Sequence, residues 1–150
     1  MATIEFKIDR SAVLEEVAKA TDYTGSKMDD TTGEVRDRIL MTDAAQSDLA
    51  RFWDESAMAV NENFKEMLIN GSSDSTGYSC KLEVSKSFDT ALTPSVASTL
   101  KSYFIASIIG QWFKFANKAE ATDYFSTAAE LLLGAERILY VRRKPTIPKD

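Results

Sequence analysis

The chain contains 150 residues, of which 44% are hydrophobic and 27% are charged, and its formal net charge is −5. This length suits one domain with its own core, and this composition excludes a chain that is disordered throughout. No apolar run approaches the ~18 residues that cross a bilayer, so no transmembrane segment is expected.

The cysteine and histidine content limits which cross-links and sites the chain can form. The chain has one cysteine, Cys80, and no histidine, so no internal disulfide can form, which agrees with a reducing compartment. The opening MATIEFKIDR mixes acids and bases and is not typical of a signal peptide. We therefore expect the chain to stay in the cell or in particles assembled there.

The charge is divided unevenly along the chain. Residues 1–75 hold 16 acids and 8 bases, a net of −8, whereas residues 76–150 hold 7 acids and 10 bases, a net of +3. Such blocks can orient association between chains, although they also fit two ordinary solvated faces.

The first predicted elements are a strand and a helix. An alternation of apolar and polar residues predicts a strand over residues 3–8, with Ile4, Phe6 and Ile8 on its apolar face. Asp9 is a candidate N-cap for a helix from residue 10 to about residue 23. Gly25 is the predicted end of that helix.

A long helical stretch is predicted next. Residues 26–33 are polar and rich in turn formers, which favours a loop. Apolar residues at three- and four-residue steps then predict a helix over residues 34–69 with a bend at Thr42-Asp43. Asn70-Gly71 is the predicted helix stop, and residues 71–77 are predicted to form a mobile loop.

The clearest strand pattern covers residues 78–85. Its apolar positions are Tyr78, Cys80, Leu82 and Val84. Because an isolated strand leaves its backbone groups unpaired, we expect it to pair with the strand at residues 3–8. The alternative is pairing with another copy of the chain, which makes Tyr78 and Leu82 candidate interaction residues.

Two further helices are predicted to form a hairpin. Thr93 as the cap and Pro94 in the first turn start a third helix, and a fourth helix runs to about Val141 after a polar turn. Their apolar stripes favour packing against each other, with the third helix buried on two sides. The stripes consist of Val96, Leu100, Phe104, Ile108, Trp112 and Phe115, and of Tyr124, Ala128, Leu131, Ala135 and Ile138 flanked by Phe125, Leu132 and Leu139.

These elements predict a single domain over residues 1–150, of mainly α class: an antiparallel bundle of about four helices with a small β element of two short strands. Pro145 and Pro148 cannot continue a helix, so residues 142–150 are expected to form an extended C-terminal arm, or else a frayed end. The arm's candidate contacts to the acidic half of the same or the next chain are Arg142, Arg143, Lys144 and Ile147.

No catalytic, cofactor or metal site is predicted, and enzymatic activity is not expected. Without histidine, a Ser-His-Asp triad and a histidine-containing metal site are impossible within the chain. Glu62 and Glu66 lie one helical turn apart, but such a pair is more often a solvated face than a cation site. Sequence-specific DNA binding is not expected either, because the few bases near the C-terminal end stand beside an acidic body.

Residues 100–145 resemble the end of small helical neck proteins of tailed phages and prophages of gut bacteria. In both, an apolar helix ends in a tryptophan–aromatic pair, here Trp112-Phe113, before a polar turn and an Ala- and Leu-rich helix that finishes in bases and proline. The resemblance implies a head–tail connector without catalytic residues, with a helical core and assembly into a ring. The long acidic helix and the strand at residues 78–85 depart from the smallest connectors.

We therefore expect a virion structural subunit, a head–tail connector or neck adaptor that forms an oligomeric ring. Its expected partners are copies of itself and other neck, portal or tail proteins, with no small-molecule substrate and no membrane. It would be assembled in the host cytoplasm and carried in the virion. The alternative is an intracellular helical protein-binding or regulatory module, a monomer or dimer located in the cytoplasm.

Overall fold

The protein combines helices with an antiparallel sheet. The computed structural model describes residues 2–27, 46–114 and 118–141. In chain order, these contain β1 (Ala2–Asp9), α1 (Arg10–Lys27), α2 (Gln46–Asn63), β2 (Leu68–Ser73), β3 (Gly77–Val84), a 3-10 turn (Thr90–Leu92), α3 (Thr93–Phe113) and α4 (Lys118–Leu139). The fold is a mixed α/β arrangement with three strands, so the prediction of a mainly α bundle with two short strands is wrong.

The sheet has the order β1-β3-β2, and both pairings are antiparallel. The predicted strands at residues 3–8 and 78–85 and their mutual pairing are confirmed, although the second strand ends at Val84. Phe6 lies opposite Cys80 at the centre of the register. Alternate side chains of β1 and β3 are buried and the others are polar, because one face of the sheet packs against the helices and the other faces solvent.

The third strand, β2, occupies a segment for which the sequence predicted a helix end and a mobile loop. The helix ends at Asn63, and Asn70-Gly71 lies within the strand instead of stopping a helix. Only Leu68 and Gly71 of β2 are even half-buried, so the strand has no apolar alternation to reveal it. Gly71 is required here because a Cβ on it would overlap the amide oxygen of Asn61 and crowd the hydroxyl of Tyr78.

A tight turn joins β2 to β3. The Asp74 carboxylate accepts hydrogen bonds from the backbone N–H groups of Thr76 (2.8 Å) and Gly77 (3.0 Å) and from the Thr76 hydroxyl (2.6 Å). These three donors hold the pKa of Asp74 below its ordinary value, led by the hydroxyl of Thr76. A Cβ on Gly77 would overlap the carbonyl oxygen of Ile8, so the turn brings β3 into close contact with β1.

Several predicted helix boundaries are corrected. The first helix continues through Gly25 to Lys27, so Gly25 does not end it. Thr93 is the first residue of α3, whose cap position is Leu92 without a side-chain hydrogen bond, and Pro94 lies in the first turn as expected. The predictions for residues 28–45, including the bend at Thr42-Asp43, and for residues 142–150 lie outside the described residues.

The core is centred on α3, which contacts β1, α1, α2 and α4. Trp53 of α2 stacks on Phe104 of α3 with ring centroids 4.5 Å apart, and Tyr78 of β3 lies 5.5 Å from the same ring. Aromatic pairs at these distances contribute more than their buried area alone. Phe104 of α3 therefore links the sheet and α2 in the core.

The predicted packing of the third helix against the fourth is confirmed, since α3 and α4 share the most extensive contact in the fold. Phe113 lies 5.8 Å from Tyr124 near the connection between the two helices. The buried positions of α4 are three alanines and one leucine: Ala121, Ala128, Ala135 and Leu139. Small side chains let the two helices approach closely, and the larger apolar residues of α4 lie toward the edges of the contact.

Candidate interaction surfaces

The residues that the sequence proposed for contacts fall into two groups. Tyr78 and Leu82 are fully buried, with 0% of each side chain exposed, so they belong to the core and offer no surface to a partner. Arg142, Arg143, Lys144 and Ile147 lie outside the described residues.

Tyr78 instead connects three elements. Its hydroxyl donates to the amide oxygen of Asn61 (2.5 Å), and the amide nitrogen of Asn61 donates to the carbonyl of Gly71 (3.2 Å). Burial raises the pKa values of the Tyr78 phenol and of the neighbouring Cys80 thiol. A buried neutral phenol and thiol suit a structural role, because neither presents a reactive anion at neutral pH.

A second polar link crosses the contact between α2 and α3. The Ser56 hydroxyl donates to the carbonyl of Phe52 (2.9 Å), and its oxygen lies 2.8 Å from the hydroxyl of Ser107. Because Ser56 has already used its only proton, Ser107 is the donor of the second bond. The amide of Gln111 then donates to Ser107 (3.3 Å), which completes a directed chain of three hydrogen bonds.

Several exposed apolar residues lie on α4 and directly after its end. Phe125, Leu133 and Tyr140 are exposed to 40%, 46% and 54%, and the exposed Ala129 lies between the first two. At 3.6 residues per turn, Phe125, Ala129 and Leu133 fall within about 80° of the helix circumference, and Tyr140 follows in the turn after Leu139. We call these four residues the α4 ridge.

Each end of the α4 ridge borders a groove. At the first end, Phe125 lines a cavity of about 410 Å³ with Arg51, Phe52, Glu55, Gln111 and Lys114. At the other end, Tyr140 lines a cavity of about 220 Å³ together with Met67 and residues from the end of β3. Both cavities have charged rims, so the α4 ridge is an apolar surface with polar borders, which is the usual anatomy of a protein–protein contact.

The sheet offers a different kind of surface. Both β1 and β2 are edge strands, since each pairs only with β3 in the described part of the chain. The solvent face of β1 is polar, with Thr3, Glu5, Lys7 and Asp9 exposed. Edge strands present unpaired backbone donors and acceptors, which makes them possible pairing sites for another chain.

No group of three or more Cys, Asp or Glu side chains in residues 2–27, 46–114 and 118–141 is arranged to hold a metal ion. None of the helices within those ranges is both long enough and apolar enough to pass through a bilayer.

Comparison with known proteins finds no counterpart: no family model, no curated protein sequence and no solved structure matches this chain.

The α4 ridge was not singled out from the sequence. Phe125 was placed beside the apolar stripe of the fourth helix, and Leu133 was not assigned to any face. The signal that would have found the ridge is the spacing of Ala121, Ala128 and Ala135 at seven-residue steps. Small residues at this repeat mark the side that meets α3, so the bulky residues on another side are the ones left uncovered.

Proposed function

We propose that the protein is a non-enzymatic structural subunit of a virion, a head–tail connector or neck adaptor that assembles with copies of itself into a ring. The observation that carries this proposal is the α4 ridge. An apolar surface with a polar border is the kind of surface that another protein chain covers. An exposed apolar ridge on a helix whose main packing partner among the described elements is α3 is therefore best explained by assembly.

The geometry of α4 favours contact with a different surface on the next copy. A ring requires such a head-to-tail contact, in which one patch meets another patch related by rotation. The ridge side of α4 carries Glu136 between Leu133 and Tyr140, and the groove at its first end is bordered by Arg51 and Lys114. Opposite charges on the two surfaces would orient each copy against the next.

The resemblance of residues 100–145 to phage neck proteins supports the more specific part of the proposal. This segment includes most of α3 and all of α4, so the resemblance falls on the same helix pair that exposes the α4 ridge. A connector subunit needs a rigid helix pair that holds its assembly contacts in fixed positions. The extensive packing of α3 on α4 would provide it.

The proposal is tested with one charged substitution on the ridge and a matched control. Leu133→Glu places a carboxylate in the middle of the α4 ridge, whereas Thr127→Glu places the same charge on an exposed polar side of the same helix. The mass of each protein is measured by light scattering across a range of concentrations, and the particles are imaged by electron microscopy.

We expect the unmodified chain to form one closed oligomer larger than a dimer and the Thr127→Glu variant to do the same. Burial of a leucine contributes about 1.5–3 kcal/mol, and about 1.4 kcal/mol corresponds to a tenfold change in affinity, so Leu133→Glu should weaken assembly at least about tenfold. A chain that stays a monomer or dimer under all conditions would instead support the alternative, a helical protein-binding module.

A further inference from the structure

The two edges of the sheet differ in their capacity to accept another strand. β2 is interrupted by an irregularity between Leu68 and Asn70 and contains Gly71, both of which disturb a pairing edge. β1 has eight residues in unbroken register with β3 and contains neither glycine nor proline. Its outer edge, where no described backbone group pairs with it, is the edge that remains competent to form a ladder.

The hydrogen-bond pattern determines which groups of β1 point outward. The N–H of Arg10 donates to the carbonyl of Thr76 across the end of the β1–β3 ladder. Since residues alternate along an antiparallel strand, the even-numbered residues of β1 direct their backbone groups toward β3. The odd-numbered residues Thr3, Glu5, Lys7 and Asp9 therefore direct their N–H and C=O groups to the open edge.

The charges on this edge are complementary to those of a second copy in the register centred on Phe6. The register centred on Ile8 also places Lys7 opposite the partner's Asp9, but it keeps only two of the four pairs of outward-pointing residues within the strand. In an antiparallel pair centred on Phe6, Glu5 lies opposite the partner's Lys7, and Lys7 lies opposite the partner's Glu5. A shift centred on Glu5 would oppose two glutamates, and one centred on Lys7 would oppose two lysines. Like charges directly opposite destabilise a strand pair and opposite charges stabilise it.

The register centred on Phe6 satisfies both the backbone hydrogen bonds of the open edge and the burial of the side chains. Centring on Phe6 pairs odd-numbered residues with odd-numbered residues, so the outward-pointing N–H and C=O groups meet each other in four reciprocal pairs. It also keeps polar residues on the solvent face and apolar residues on the core face of both copies, which a shift of one residue would not.

We propose that β1 is a self-pairing edge: two copies of the chain join antiparallel about Phe6 and form a continuous six-stranded sheet. This inference does not rest on the proposed function, because the α4 ridge and the β1 edge are separate surfaces. A chain could use one of them without the other.

The test uses charge reversal, with a cross-link as the readout. A zero-length carbodiimide cross-link joins a carboxylate to an amine in direct contact, and mixing isotopically light and heavy chains identifies links between copies. We expect Glu5 of one copy to be linked to the partner's Lys7 in the unmodified protein. Glu5→Lys and Lys7→Glu alone should each lose this link and weaken pairing about tenfold or more, because two opposite-charge pairs become two like-charge pairs.

Mixing the two single variants supplies the control for folding. A Glu5→Lys chain presents two lysines and a Lys7→Glu chain presents two glutamates, so a mixed pair regains both attractive contacts. We expect links between copies to return in the mixture and in the Glu5→Lys/Lys7→Glu double variant. This recovery also excludes loss of the Lys7 hydrogen bond to Thr76 (2.9 Å) as the cause of the weakening.

Three outcomes would overturn the proposal. The first is the absence of a Glu5–Lys7 link between copies in the unmodified protein. The second is failure of the mixed variants to recover it. The third is slow amide exchange of Glu5 and Lys7 in a monomer, which would mean that another segment of the same chain covers this edge.

Discussion

The directed hydrogen-bond chain between α2 and α3 predicts unequal effects of two similar substitutions. Ser56→Ala removes the Ser56 acceptor from the Ser107 hydroxyl, which is only 7% exposed, so that hydroxyl must turn to its contact with Tyr103 or stay unsatisfied in the core. Ser107→Ala removes only a donor, because Ser56 keeps its bond to the carbonyl of Phe52. The amide of Gln111 is half-buried and can turn to water.

The expected magnitudes follow from this asymmetry. A buried group left unsatisfied costs about 1–3 kcal/mol, whereas a lost hydrogen bond with both ends otherwise satisfied costs about 0.5–1.5 kcal/mol. Ser56→Ala should therefore lower the free energy of unfolding more than Ser107→Ala does. The double variant should cost about 1 kcal/mol less than the sum, because it contains no orphaned hydroxyl.

Urea denaturation followed by circular dichroism measures all three variants and the unmodified chain. The higher helix propensity of alanine offsets each loss by up to about 0.5 kcal/mol, but this contribution cancels in the comparison of the double variant with the two single ones. If Ser107→Ala is the more damaging substitution, or if the two effects simply add, the assigned direction of the hydrogen bonds is wrong.

Three further predictions concern stability. Gly71→Ala should destabilise the fold by about 1–3 kcal/mol, because the new methyl group displaces the Asn61 amide from its hydrogen bonds. A free energy of unfolding in urea equal to that of the unmodified chain would contradict this prediction. Leu100→Ala, at a fully buried position, should cost about 2–5 kcal/mol, whereas Leu133→Ala should cost less than about 1 kcal/mol; equal losses would mean that the core is misplaced. Asp74→Asn should reduce the fall in melting temperature at acid pH. The Asp74 carboxylate has a lowered pKa in the fold, so it stabilises the fold above its unfolded pKa and loses this effect as the pH falls through its folded pKa. A variant whose melting temperature has the same pH profile as the unmodified chain would argue against the turn geometry.

The parts of the fold that the sequence predicted are those with a strong apolar repeat. β1 and β3 each bury alternate side chains, so their pattern shows both the strand and the face. The stripe on α3 from Val96 to Ile108 is buried as expected, because that helix lies at the centre of the core. In these elements, the residues of the apolar repeat are the same residues that the fold buries.

β2 escaped prediction for a physical reason. It is an edge strand with polar and glycine residues, and its position depends on the fit of Gly71 against Asn61 and Tyr78, which belong to other elements. A turn-forming run such as the one from Asn70 onward has the same composition in a loop and in an exposed strand. Tertiary contact decides between them, and no local repeat records that contact.

The α4 ridge could not be predicted because too many residues of α4 are apolar. α4 is apolar on more of its circumference than α3 covers, so the sequence could not tell which residues lie inside. Leu132, which was expected beside the seam, is half-buried, and Leu133 next to it is 46% exposed. Within the described part of the chain, α3 is the main element against which α4 packs, and this limit on the burial of α4 appears only in the fold.

The central claim, that this chain is a virion structural subunit, is tested most directly on particles. Tailed particles are purified on a density gradient from cells that encode the chain, their proteins are quantified by mass spectrometry, and an antibody to the chain is imaged on them by electron microscopy. We expect the chain in a fixed ratio to the other particle proteins, with the antibody at the junction of head and tail. A chain that is abundant in the cells but absent from the purified particles would contradict the account.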